Sequence, residues 1–449
     1  MHHLAKTSLV AKRFSADFSD ITLTQIAKTN PLVINGVGTI NQDELGTLKL
    51  KLFQKNPLDR EKVLRYQEEK SRGRISSAGG CSLSAVDHHD AGTWTCDYLK
   101  TSESLYFGTD GCTGVFSAEV EKLENSHGIR SCFQKSSFEG IIPFELDLPF
   151  NRGADGKKNS YPERMLKFTF NKVTKVEILQ CNGYTSIKIN NKYELVSERF
   201  IEAFTQSLSI ATGRTVKYIW RQIAGEHFHH NVISEFDFEL SRKSLRPPLD
   251  LHFCGHFLEF LEAYIKFSLT CDHNYFGYWE KLHASWASGL AVAALPLAVY
   301  IEGIMKEFFP ELMTVDAKLA EDVKLTVEAI DNLVGVEAKL RERIRNRISG
   351  AARGTVTNGL RALAQRGCIG DHLVTSWQSV RHRSAHGNDF TQGQVAKFQE
   401  IVTGIYSCLR LFYELLYLKL EFSGHIIDYS EIGFPTEFRH AERLKMTRK

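Results

Sequence analysis

Apolar positions along the chain follow two different periods. From residue 31 onward, short apolar runs sit between turn residues. Seven stretches, 32–40, 45–53, 93–99, 115–123, 141–148, 165–179 and 185–196, have strand character. Leu48, Leu50 and Leu52 interleave with Lys49 and Lys51 at a period of two. Asn190-Asn191 predicts a tight hairpin between 187–189 and 193–195. Residues 1–20 read as an irregular lead-in, and 71–80, rich in Gly and Ser, as a loop. The period then lengthens: Phe200, Ile201, Phe204, Leu208 and Ile210 predict a helix that starts at Ser197. Strand-like patterns return over 216–223 and 232–240. Arg246-Pro247-Pro248 resists both helix and central strand and marks a boundary.

Beyond that boundary the pattern is helical, over 257–269, 290–309, 315–348, 356–364, 369–385 and 392–422. In the last stretch Val395, Phe398, Val402, Ile405, Leu409, Phe412 and Leu416 alternate spacings of three and four. That seam predicts a long helix packed at a shallow angle, and it motivates a symmetric dimer. The fold class expected is α+β. A β-rich domain spans 1–196, an α+β connecting segment 197–249, an all-α bundle 250–422 and a tail 423–449.

Composition narrows the function. The hydrophobic share is 43% and the charged share 24%, as in a globular protein able to bury large cores. The net charge is only +3, so any nucleic-acid contact must come from local patches. Nine cysteines without a CxxC pair read as reduced thiols. The N-terminus lacks the apolar core of a signal peptide, which predicts a cytoplasmic protein. Residues 284–301 carry no charge, but Ser285, Ser288, Gly289 and Pro296 make them a buried bundle helix, so no membrane partner is expected. No P-loop, GxSxG or Rossmann glycine pattern is present, which leaves ATP hydrolysis, serine-hydrolase and NAD chemistry without support.

The chemistry concentrates in 377–388, Trp-Gln-Ser-Val-Arg-His-Arg-Ser-Ala-His-Gly-Asn. Ile369, Leu373, Val374, Trp377 and Val380 predict an amphipathic helix that Gly387 ends. Thr391 and Gln394 form a capping box for the next helix. A histidine near a helix C-terminus favours its charged form, and a guanidinium beside it offers a fork for a phosphate. Arg381 and His386 lie about 140° apart around an ideal helix, so one copy does not aim both at one point. A second copy across a two-fold axis could complete the site.

Arg381-His382-x-x-x-His386, with Trp377, Val380, Ala385 and Gly387 around it, resembles the R-x4-6-H signature of the HEPN ribonucleases. The resemblance spans 251–422 and is nearest to large bacterial members of the abortive-phage-infection type, which carry a β-rich N-terminal domain. It implies a homodimer with a composite site and metal-independent RNA cleavage without a cofactor. Arg381 and His386 would be catalytic, and His382 would support them. The N-terminal domain would sense a trigger, such as a phage product, or select the RNA. Some members carry a Tyr two residues after the His; here that position is Asn388, so control through it is not implied.

Three further sets enter. Residues 339–366 hold eight cations against Glu342, a local +7, so Arg343 and Arg347 are candidate RNA contacts, as is Arg383. The bland alternative is a solvated face paired to acids. Glu302, the first acid after an apolar run, could orient His386 or Arg381 from a facing helix, or simply face solvent. His252, Cys254 and His256 alternate, near His227, His229 and His230, and would share a face if extended. Their spacing matches no standard zinc pattern, so no metal is assigned. Besides the nuclease, two readings stay open: a catalytically silent HEPN scaffold, and a metal- or ligand-binding protein centred on 227–256.

Overall fold

The computed structural model describes all residues except 1–6, 27–28, 72–79, 89–91, 129–134, 150–163, 227, 237–243, 314–316, 334, 352–353, 386–394 and 442–449. The fold is α+β, in two compact units. Unit 1 comprises Met1–Thr205 and Val216–Arg242, and unit 2 Gln206–Thr215 and Lys243–Lys449.

Unit 1 contains a 14-stranded antiparallel sheet among the described residues. Its strands are β1 (Ser15–Gln25), β2 (Val33–Gln42), β3 (Leu48–Gln54), β4 (Cys81–Asp87), β5 (Thr93–Leu99), β6 (Thr101–Gly108), β7 (Gly111–Val120), β8 (Lys122–Gly128), β9 (Ser136–Ile142), β10 (Arg164–Phe170), β11 (Thr174–Cys181), β12 (Tyr184–Asn191), β13 (Trp220–Ala224) and β14 (Phe228–Ser234). They pair in the order β10-β11-β12-β9-β13-β14-β8-β5-β4-β1-β2-β3-β7-β6. Helix α1 (Arg60–Ser71) adds Val63 and Tyr66 to the core of the first strands. The period of two in β3 holds: Leu48, Leu50 and Leu52 are buried, while Lys49, Lys51 and Phe53 are exposed.

Four sequence expectations in this unit change. The lead-in contains most of β1, whose Phe18, Ile21 and Leu23 are buried. A bulge between Phe18 and Ile21 breaks the alternation and hides the strand. The stretch 165–179 folds back at Asn171-Lys172, both with positive φ, 48° and 61°, into the β10–β11 hairpin. Asn190-Asn191 is not a turn: β12 runs through it, and the Asn191 amide donates to Thr174 Oγ1 at 3.1 Å. The β11–β12 turn lies instead at Gly183, whose φ of 80° glycine adopts freely. The stretch 197–249 contributes β13 and β14 to the sheet interior, between β9 and β8. Helix α2 (Glu198–Thr212) starts as expected, with Ser197 Oγ accepting from the Phe200 amide at 3.2 Å.

Unit 2 is helical: α3 (Cys254–Thr270), α4 (Tyr275–Ala287), α5 (Leu290–Phe308), α6 (Ala317–Asp331), α7 (Ala338–Ala351), α8 (Val356–Gln365), α9 (Asp371–Ala385) and α10 (Val395–Leu420). A short hairpin follows, β15 (Gly424–Ile427) with β16 (Thr436–Arg439). The uncharged run 284–301 is shared between α4 and α5, separated at Gly289 with φ 126°. The expected helix 315–348 is two, α6 and α7, with Gly335 at φ 87° between them. In α10, Ile405, Leu409, Phe412 and Leu416 are buried inside the same chain. Those four seam positions serve packing within the unit. Within it, Gln399–Leu420 is long and apolar enough to cross a membrane, and 72% of the apolar window is buried within the protein.

Candidate functional site

Helix α9 packs on α5, α8 and α10. Leu373, Val374, Trp377 and Val380 form its buried face, at the spacing of three and four that the sequence shows. The Trp377 indole Nε1 donates to the Ala298 carbonyl at 3.1 Å. One turn later on both helices, Arg381 Nε donates to Glu302 Oε1. Both pairs are four residues apart on their helices, which fixes the register of α9 on α5. Glu302 is mostly covered, with 18% side-chain exposure, while Arg381 is 52% exposed. Its two Nη groups make no ion pair among the described residues and remain free to take an oxyanion. Glu302 therefore faces Arg381, one of the two partners the sequence allowed it.

His382 follows on the exposed side of α9. Arg383 Nη2 donates to Glu400 on α10 at 2.7 Å. That bond occupies one donor of a group expected to meet RNA. His386, with Gly387, Asn388, Thr391 and Gln394, lies outside the described residues. The structure thus brings Arg381 and Glu302 together and gives no placement for His386.

The α7 arginines divide into two kinds. Arg341 donates to the Asp331 and Val336 carbonyls, at 3.3 and 3.0 Å, and Arg345 lies 3.8 Å from Asp331. Those two cations hold the C-terminal end of α6, where carbonyls lack helical partners. Arg343 and Arg347, one turn apart, are exposed and make no ion pair among the described residues. α7 packs mainly on α6, so the structure does not set it against α9.

The histidine cluster is rearranged. Cys254 opens helix α3, so His252, Cys254 and His256 do not alternate on one extended face. His252 bonds Asp250 at 2.6 Å. His256 Nδ1 lies 3.0 Å from His425 Nδ1, and Phe253 stacks on the His425 ring at 3.6 Å. Burial raises the Cys254 thiol above its usual range. His229 and His230 belong to β14 of unit 1, with His230 bonded to Ser126, and His227 is outside the described residues. No three His, Cys, Asp or Glu side chains among the described residues could hold a metal ion.

Sequence reasoning missed two features. One is the Trp377–Ala298 bond, since a carbonyl acceptor leaves no mark on side-chain pattern. The other is a buried ionic network under the tail. Arg439 Nε donates to Glu414 at 2.8 Å, and Arg410 reaches Glu414 at 3.2 Å and Glu437 at 2.5 Å. The signal was there: Arg410 and Glu414 interrupt the apolar α10 four residues apart. Burial opposes charge on Arg410, yet the carboxylates of Glu414 and Glu437 hold its pKa above the usual value.

No family model, curated protein or solved structure matches this chain.

Proposed function

We propose that the protein is a metal-independent endoribonuclease of HEPN type, acting as a homodimer in antiphage defence. The observation that carries it is the geometry of Arg381: 52% exposed near the end of α9 and held through Nε by Glu302, with both Nη groups outside that bond. An oriented guanidinium in that state suits stabilisation of charge growing on phosphoryl oxygens. The RNA 2′-hydroxyl attacks the adjacent phosphate, so no protein nucleophile is needed. His386, placed five residues on by the sequence alone, acts as general acid or base. His382 supports by hydrogen bonding. Arg343 and Arg347, exposed on α7, hold the RNA backbone.

Support for a two-fold site comes from α5. Val292, Leu295 and Val299 expose 55%, 41% and 48% of their surface, an apolar stripe that leads along the same face to Glu302. A second copy seated there lies next to Arg381. The triggering role belongs to unit 1, and the RNA is the partner in unit 2.

The silent-scaffold alternative draws on the same ion pair, because Glu302 and Glu400 neutralise Arg381 and Arg383. One experiment separates them. Wild type and His386→Ala are expressed in cells and their RNA ends mapped. New ends with 2′,3′-cyclic phosphate in wild type only are expected. Identical end profiles in the two strains overturn the nuclease assignment.

A further inference from the structure

Unit 1 holds a cavity of about 360 Å³ that RNA cleavage does not use. Its floor is the sheet surface of β10, β11, β12 and β9, and Thr7 closes one side. Strand register sorts the floor into rows. Lys167, Glu177, Lys188 and Glu139 lie opposite one another across the four strands. Two residues along, on the same face, come Met165, Leu179, Ser186 and Ile141. Cys181 and Tyr184 pair at the far end.

The rows dictate what fits. Lys188 Nζ is 4.0 Å from Glu139, and Lys167 Nζ is 3.2 Å from Glu177. Both carboxylates already have an ammonium beside them, so a ligand with net charge gains little. An uncharged ligand that carries donors next to an acceptor matches the Glu139–Lys188 edge. The middle row is apolar on three strands and suits the face of a flat ring. In its centre Ser186 is 7% exposed and lines the cavity. Its hydroxyl can donate to or accept from a polar ligand atom. The volume is near the lower end of small-molecule sites, which suits a nucleoside better than a dinucleotide.

We infer that this cavity binds a purine nucleoside, with guanosine the best match. The Glu139 carboxylate accepts from guanine N1–H and the exocyclic amine together, Lys188 donates to O6, and Leu179, Met165 and Ile141 meet the ring face. Ser186 bonds a further polar atom of the ligand. Adenosine presents one donor to the carboxylate instead of two, and inosine lacks the amine. The inference rests on unit 1 alone and is independent of the nuclease assignment, since its readout is binding.

The test is calorimetry on the full chain with guanosine, inosine, adenosine and cytidine. Guanosine is expected to bind tightest, inosine about tenfold more weakly and adenosine weaker again, each missing bond counting roughly tenfold. Lys188 and Glu139 side chains are 56% and 25% exposed, so Glu139→Gln and Lys188→Met should fold; circular dichroism checks this. Each is expected to weaken guanosine at least about tenfold. Ser186→Ala weakens all nucleosides alike. Guanosine that gives no heat at millimolar concentration overturns the inference. So does equal affinity for all four nucleosides, or affinity unmoved in folded Glu139→Gln and Lys188→Met.

Discussion

Arg381 on α9 donates from Nε to the mostly covered Glu302 on α5, one turn beyond the bond from Trp377 to Ala298. The carboxylate does two things at once. It holds the guanidinium through Nε, leaving both Nη groups outside that bond, and it neutralises part of the charge that a phosphate would meet.

Replacing Glu302 separates those effects. Glu302→Gln keeps the acceptor and removes the charge. A hydrogen bond to a charged group contributes about 1.5–3 kcal/mol, so kcat for RNA cleavage should fall roughly tenfold to hundredfold. KM should change little if, as proposed, Arg343 and Arg347 on α7 hold the RNA backbone. The melting temperature should hardly move, since a pair with one half-exposed partner contributes at most about 1 kcal/mol. A rate equal to or above wild type, in single-turnover cleavage, would show that Glu302 restrains Arg381 instead of positioning it.

The α5 stripe predicts the oligomeric state. Leu295 and Val299 are exposed at 41% and 48%, and neither supports the core of its own chain. Leu295→Glu with Val299→Glu should convert a dimer to a monomer in light scattering at micromolar concentration, and abolish cleavage while the helical content persists. If wild type itself runs as a single chain with full activity, the composite site is wrong.

How much of the fold and site was legible depends on the kind of signal. The buried face of α9 was readable, because Leu373, Val374, Trp377 and Val380 recur at helical spacing. Trp377 as an anchor to α5 was not, because its partner is a backbone carbonyl. The candidacy of Glu302 was readable, yet the choice of Arg381 as its partner needed the register of two helices. The α10 seam was readable as a packing face. Apolar heptads say that a helix packs, and leave open whether the neighbour is the same chain; Ile405, Leu409, Phe412 and Leu416 are covered by their own unit. Strand β1 was hidden by a bulge, and β12 gained length because Asn190 and Asn191 pair in the ladder instead of turning.

In α7 the arginines should not behave alike. Arg341 and Arg345 hold the end of α6, whereas Arg343 and Arg347 face outward. Arg343→Ala with Arg347→Ala should weaken RNA binding and lower the salt slope by about one unit for each phosphate no longer neutralised. Arg341→Ala with Arg345→Ala should instead lower stability with a smaller change in slope. Filter binding over a salt series reads both, and an unchanged slope for Arg343→Ala with Arg347→Ala assigns that face to solvent.

The tail is tied to α10 by charge. Glu414 stands between Arg410 and Arg439, with side-chain exposures of 2%, 7% and 1%. Glu414→Leu leaves the buried Arg439 without its carboxylate and Arg410 with Glu437 alone, and should destabilise unit 2 by about 3–5 kcal/mol. Arg439→Met should cost less, because Glu414 keeps Arg410. Hydrogen exchange of β15 and β16 is the measurement. Equal protection in wild type and Glu414→Leu would assign the attachment of the hairpin to its apolar packing.

His273 predicts an acid sensitivity. It stacks on Phe267 at 4.5 Å, and Ser268 Oγ lies 2.9 Å from its Nε2. Its Nδ1 is buried without a partner. Burial pushes its pKa down to about 4, with the nearby Asp272 carboxylate opposing the shift. The folded state therefore binds the proton less readily than the unfolded chain, where the value is near 6.5. Above about pH 6.5 both states are neutral at this site and the contribution to stability is complete. As pH falls from there toward 4, the unfolded chain takes up the proton first, and stability is lost across that window. The remaining exposure of the ring to water reduces the loss to about 1–2 kcal/mol. His273→Gln keeps a partner for Ser268 and does not titrate. Thermal melts of wild type and His273→Gln at pH 7.5 and pH 4.5 should therefore converge at the lower pH, with wild type the more stable at the higher one. A wild-type advantage that stays constant between the two pH values would mean that His273 is not held neutral by burial.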